Sequence, residues 1–204
     1  MVSLLWLISS VAWAAPPSIA AKLACPESIG ALTLPKGIPA SRLQSKQLIV
    51  VLKGARRIFR TDGGKLLHTE AGSACWPIGL GFSPEGHKQV QGDGKTPEGL
   101  YATSDKPWSQ YYAAIAVHYP STKDAVAAVG ASRISPAIAK SIRRASASKK
   151  KPPQTTALGG EILIHGGGSA TDWTLGCVAM EDAHIDQLRA TLPTDMVTEV
   201  LILP

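Results

Sequence analysis

The chain reads as a mainly β domain with short helices, of the α+β class. Three observations point there. Short β-branched and apolar runs recur in the first half between Gly, Asp and Pro turns. One alanine-rich stretch near the middle carries its charges at helical spacing. The 204 residues, 45% hydrophobic and 18% charged, suffice for one well-packed core and not for a second domain of appreciable size.

In chain order, residues 1–14 resemble a secretory signal peptide. Residues 4–13 are mostly apolar, and Ala12, Trp13 and Ala14 offer a small-x-small cleavage site before Ala15. No Lys or Arg precedes the apolar run, so an uncleaved anchor and a buried first strand stand as alternatives. Lys22 spoils the apolar box that lipid attachment at Cys25 requires. Residues 15–45, punctuated by Pro26, Pro35, Pro39, Gly30 and Gly37, read as an irregular arm ahead of one domain over 46–204. QLIVVL at 47–52 is a strand ended by Gly54. Arg57, Ile58, Phe59 and Arg60, the Asp62, Gly63, Gly64 turn and residues 65–69 make a hairpin. Such short strands favour antiparallel pairing over a βαβ arrangement. Residues 79–101 are dense in Gly and Pro and read as loop. QYYAAIAVH at 110–118 is another strand, broken at Pro120. Residues 121–147 are helical, with Pro136 starting a second piece, and Lys149, Lys150 and Lys151 end it in a basic loop. The helical and basic insertion spans about 121–157. Residues 181–188 form a short amphipathic helix and 196–203 a closing strand.

Charge narrows the partners. No charged residue occurs in 1–21, so loss of the leader keeps the whole net charge of +6. A basic exported protein suits a negatively charged envelope polymer or surface, at the periphery of the envelope. Nucleic acid is excluded: aromatics are 5% and no recognition motif appears among the basic residues. No apolar run after residue 20 is long enough to span a bilayer. Acidic residues are missing between Asp124 and Glu161, which makes that stretch either a solvated helix face or a basic flap beside the site. His68, His87, His118 and His184 show no ligand spacing, so neither a metal nor a cofactor is expected.

Three cysteines in an exported chain do not pair evenly. Cys25 and Cys75 can bridge in an oxidising compartment, which leaves Cys177 as the odd thiol. Twelve positions earlier in sequence stands His165, at the end of the apolar run Ile162, Leu163, Ile164. That run reads as a central strand, and Gly166, Gly167 and Gly168 let backbone pack close to the imidazole. Gly176 does the same for the thiol. A thiol attacks only as thiolate, and a nearby imidazole is the usual means of getting there. Backbone N–H groups of Gly166, Gly176 and Cys177 are candidate oxyanion donors. The alternative is an unrelated core histidine and buried cysteine.

Two blocks tip that balance. GFSPEGHKQVQGDGKTPEGLY at 81–101 and IHGGG…DWTLGCVAM at 164–180 resemble, in order, the signatures of the L,D-transpeptidase catalytic domain (YkuD type). The likeness runs over roughly 46–203 and is nearest the murein branch with a short catalytic loop. It implies a β-sandwich of mixed sheets with a helical insertion before the catalytic strand. It also implies Cys177 as nucleophile, His165 as base, and peptidoglycan stem peptides as substrate in the periplasm. A wall-attached protein is a further acceptor or substrate. Thr174, Trp173 and His118 are cleft candidates, Trp173 and His118 having loop-shaping and sheet-buried roles as alternatives. Leu175 and Ala179 stand where many members carry a histidine and an Arg or Asn. A hydrolase of the same fold and a non-catalytic wall-binding module are the other readings.

Overall fold

A computed structural model describes residues 25–30 and 32–204. The leader expected over 1–14 and the first part of the arm lie outside the described residues.

The apolar runs form strands β1 (Leu48–Leu52) and β2 (Arg57–Asp62), paired antiparallel with Val50 opposite Phe59. β3 (Lys65–Leu66) completes the hairpin through the glycine turn, with Leu66 opposite Thr61. β4 (His68–Thr69) and β5 (Gly72–Ser73) make a separate two-stranded ribbon, and β6 (Cys75–Pro77) returns to β2. β7 (Gly99–Asp105) and β8 (Ala114–Val117) precede helices α1 (Thr122–Gly130) and α2 (Pro136–Ala147). The chain then runs through β9 (Leu163–His165), β10 (Val178–Ala179), α3 (Asp182–Ala190) and β11 (Glu199–Leu203).

The main sheet is ordered β10-β9-β8-β7-β11-β1-β2-β3, with β6 on β2. β1 and β11 run parallel, as do β9 and β10, and the other pairs are antiparallel, so the sheet is mixed as expected. Backbone bonds between Gly79 and Ala179, and a bridge from Gly81 to Thr174, tie the chain leaving β6 to the β10 edge. They curl the sheet nearly closed. The cysteine turn sits at that seam.

Strand alternation explains the two cores. Ile49, Val51, Val200 and Ile202 point into the larger cluster with Ile164, and Leu48, Val50, Leu201 and Leu203 point to the other face. That second face is covered by the arm, whose Ile29 and Leu43 are buried there. Each such side chain contributes roughly 1.5–3 kcal/mol. Cys25 and Cys75 are joined by a disulfide, tying the arm to β6.

The starts of α1 and α2 follow from caps. Ser121 and Asp124 form a capping box for α1, and Ser135 caps α2 ahead of Pro136 at its first turn. Three readings need correction. β7 lies partly inside the stretch read as loop and was not foreseen beyond it. The strand expected over 110–118 shrinks to Ala114–Val117, because Tyr112 takes a left-handed φ of 62° that ends the extended run. The arm is not wholly irregular: residues Ala40–Gln44 form a 3-10 turn. Among the described residues, no helix is long and apolar enough to cross a membrane.

Candidate active site

β9 is a central strand, flanked by β8 and β10, and its apolar run is buried on both faces. The parallel register sets Ala179 beside His165 and Val178 beside Ile164. Counting back one residue, Cys177 stands level with Leu163. Residues 163, 165, 177 and 179 therefore share one face, with the thiol and the imidazole as diagonal neighbours. Small side chains from β8, Ala114 and Ala116, pack the same face and leave room above it. Both groups open into one cleft of about 460 Å³.

The imidazole is held on three sides. Its Nδ1 lies 2.6 Å from the Gly166 carbonyl oxygen, so Nδ1 carries the proton and Nε2 keeps its lone pair. Tyr111 stacks on the ring at 4.5 Å, and Trp173 meets its edge at 5.6 Å. Trp173 is anchored through Nε1, which donates to the Gly168 carbonyl at 3.1 Å. Burial lowers the His165 pKa, and the bond to Gly166 only partly offsets it, so the ring is neutral near pH 7.

The thiol rests elsewhere. Its Sγ accepts from the Leu163 N–H at 3.4 Å and donates to the Glu161 carbonyl at 3.5 Å. Burial pushes the thiol pKa up to about 11. The substrate-free pair is thus thiol and neutral imidazole, not thiolate and imidazolium.

The GDGKTPEG block forms the floor behind the cysteine turn. Asp93 accepts from the N–H groups of Gln89, Val90 and Lys95 and from Lys88 Nζ at 2.9 Å. Burial works against its charge, but those bonds outweigh it and hold the carboxyl below its usual range. Thr96 Oγ1 accepts from the Gly81 N–H at 3.2 Å and donates to the Cys177 carbonyl at 3.4 Å. Gly176 has a φ of 130°, and a Cβ there would meet the Lys95 carbonyl oxygen at 2.6 Å. At Gly81 a Cβ would lie 2.1 Å from the Gly94 oxygen. Asp172 pairs with Arg56 at 2.6 Å and accepts from the Leu80 N–H at 2.9 Å, which ties its loop to the chain leaving β6.

Other residues land differently from expectation. Thr174 is buried, and its hydroxyl accepts from the Gly176 N–H at 3.1 Å and donates to the Cys177 carbonyl at 2.9 Å. It lines the cleft as expected, but with its hydroxyl committed to the turn. The same bond engages the Gly176 N–H, and the Gly166 N–H donates to the Ala113 carbonyl at 3.1 Å. Both drop out as oxyanion donors and Cys177 N–H remains. His118 is outside the cleft: its Nε2 is bonded to Ser104 at 2.9 Å, and it borders a separate groove. No residue of α1 or α2 lines the cleft, so the insertion is not a flap over it. The opposing wall comes instead from residues 106–111, including Trp108, which is 89% exposed. Trp173, 41% exposed, and Leu175, 74% exposed, complete the rim.

Two contributors escaped the sequence reading. Tyr111 was read as part of a strand, and nothing in sequence spacing links it to His165. Glu161 offers its carbonyl to the thiol and its carboxylate to Lys106 and Lys151, at 3.3 and 2.8 Å. The Lys151 bond, with the charge of Lys106, holds its carboxyl below the usual range. Glu161 is one of several non-glycine residues with a left-handed φ, here 52°, and no motif announced it.

Known proteins share this fold. The family model of the L,D-transpeptidase catalytic domain (YkuD) matches residues 46–202. Among solved structures, the helical cell shape determining protein Pgp2 of Campylobacter jejuni is 21% identical, with a TM-score of 0.50 over 76% of this chain and 46% of that one. Bd1075 of Bdellovibrio bacteriovorus is 21% identical, with a TM-score of 0.47 over 88% and 53%. An L,D-transpeptidase of Mycobacterium tuberculosis H37Rv is 10% identical, with a TM-score of 0.43 over 78% and 58%. The chain spans about half the length of these solved proteins. No curated protein matches the sequence. With the family model spanning both motif blocks, the chain belongs to the L,D-transpeptidase catalytic domain family.

Proposed function

We propose that the protein is an exported enzyme of the cell envelope that acts on peptidoglycan stem peptides through a thioester on Cys177, with His165 as its base. The observation that carries this is the shared face of β9 and β10, where a thiol and a neutral imidazole with a free Nε2 open into one cleft. The likeness to a cell-shape protein accords with action on the wall polymer.

The resting thiol must leave Glu161 and Leu163 before it reacts. As Sγ attacks the carbonyl of the L-residue in an L,D peptide bond, Nε2 takes the S–H proton and the C–S bond forms. The Cys177 N–H faces the developing oxyanion. Collapse breaks the C–N bond, the D-residue leaves with the proton from His165, and a thioester remains. An amine of a second stem, or of a wall-attached protein, then attacks the thioester and gives its proton to His165; the new C–N bond forms, the C–S bond breaks, and His165 returns the proton to the Cys177 sulfur. Tyr111 and Trp173 keep the ring aimed throughout.

Digestion of purified wall separates the outcomes. Transfer predicts a new cross-linked dimer, lost in Cys177→Ala. Shortened stems or freed protein alone would mean that water is the acceptor. An unchanged wall profile would leave only a binding role for the fold.

A further inference from the structure

Positive charge is concentrated in one segment. Residues 125–160 hold seven Lys and Arg and no Asp or Glu, against a net charge of +6 for the chain, so the rest sums to −1. Lys140, Arg143, Arg144, Lys149 and Lys150 are exposed, and none of these side chains has an ion-pair or hydrogen-bond partner among the described residues. A solvated helix of ordinary composition carries both signs. Here five cations stand together without a counter-ion.

They border two adjoining depressions away from the cleft. Lys149 and Lys150 line a groove of about 740 Å³ between the end of α2 and the paired strands β7 and β11. Lys140, Arg143 and Arg144 line a shallower one, and Thr122 and Ser146 belong to both. The basic path also reaches the cleft. Lys151, next in sequence to Lys150, pairs with Glu161, and Lys106 on the cleft wall pairs with the same carboxylate.

We propose that this groove holds a stem-bearing glycan strand of the wall polymer, separate from the stem in the cleft, through the carboxylates of its peptides. The proposal rests on the functional reading above for its choice of polymer. Concavity suits a linear chain, and the Thr122, Ser146 and Thr198 hydroxyls on its walls suit sugars. A bilayer is a poorer fit, because membrane faces pair basic residues with inserted aromatics, and no exposed aromatic borders the groove. The exposed tryptophans, Trp108 and Trp173, stand at the cleft instead.

The test uses the full chain carrying Cys177→Ala, so that binding is read without reaction. A second protein adds Lys140→Gln, Arg143→Gln, Arg144→Gln, Lys149→Gln and Lys150→Gln, with circular dichroism and thermal melting to check its fold. Both are pelleted with insoluble wall, with wall stripped of stem peptides, and with anionic phospholipid vesicles, over a salt series. The expected result is salt-sensitive pelleting with intact wall, at least about tenfold weaker for the five-site variant and for stripped glycan. Equal pelleting of the folded five-site variant, equal binding to stripped glycan, or binding to vesicles alone would each overturn the proposal. Because Cys177 is absent throughout, loss of the catalytic reading leaves a different mark: no acylation of the unmutated chain, with wall binding intact.

Discussion

At the residue scale, the arrangement turns on a thiol that is not pre-ionised. With its pKa pushed up to about 11, on the order of one thiol in ten thousand is ionised at pH 7. Alkylation of Cys177 by iodoacetamide is therefore expected to be slow at neutral pH and to climb without a plateau through pH 9. A fast, pH-independent rate from pH 6 upward would mean that a thiolate–imidazolium pair exists at rest. Tyr111→Ala removes the stacked partner of His165. It should lower kcat about tenfold or more with a smaller effect on KM, measured with a stem tetrapeptide, because a misaimed base loses its transition-state contact. Cys177 and His165 were legible in the sequence because glycines and a central apolar run mark their backbone. Tyr111 and Glu161 were not, since a ring stack and a backbone carbonyl contact leave no periodic trace.

At the element scale, the GDGKTPEG block is scaffold that acts through hydrogen bonds to the cysteine turn. Thr96→Val keeps the shape of the side chain but leaves the buried Gly81 N–H without its acceptor. That should cost about 1–3 kcal/mol in denaturant unfolding and slow Cys177 acylation, whereas Thr96→Ser should restore both. Motif recognition found this block, yet the seam beside it, where Gly79 pairs with Ala179 and Gly81 with Thr174, joins residues roughly a hundred positions apart. β7 was hidden for a related reason. It begins at Gly99 inside a Gly- and Pro-rich run, and its alternation rests on Tyr101 and Thr103, the second a polar residue bonded to the Met196 carbonyl. The helical stretch over 121–147 was plain from its alanine content, the spacing of its charges and Pro136; which face of the sheet it covers was not.

At the scale of the whole molecule, the arm and its disulfide complete a core that the strands alone leave half open. The Cys25–Cys75 bridge closes a loop of 50 residues. Replacing both by Ser should cost about 2–4 kcal/mol in unfolding free energy, and thiol titration of the denatured chain should rise from one group to three on reduction. Acid should weaken the fold by another route. Burial depresses the folded-state pKa of both His118 and His165, with Lys151 adding to the effect at His118. The unfolded chain then binds protons first, so stability present above about pH 6.5 is lost as pH falls from there through the folded pKa values. Melting temperatures recorded from pH 8 to pH 5 should decline on the acid side, and less steeply in His118→Gln. The mixed sheet and its insertion were legible through the family likeness. The arm's role was not, because packing on a sheet's outer face leaves no motif.

Intact-protein mass spectrometry after mixing the protein with a disaccharide bearing a stem tetrapeptide bears on the whole reading at once. Rapid quenching should reveal a mass gain equal to the donor minus its terminal D-residue, located on Cys177, released by hydroxylamine, and absent from Cys177→Ala. Turnover of the tetrapeptide by the Cys177→Ala protein, or turnover by the unmutated chain with no adduct on Cys177 at any quench time, would contradict it.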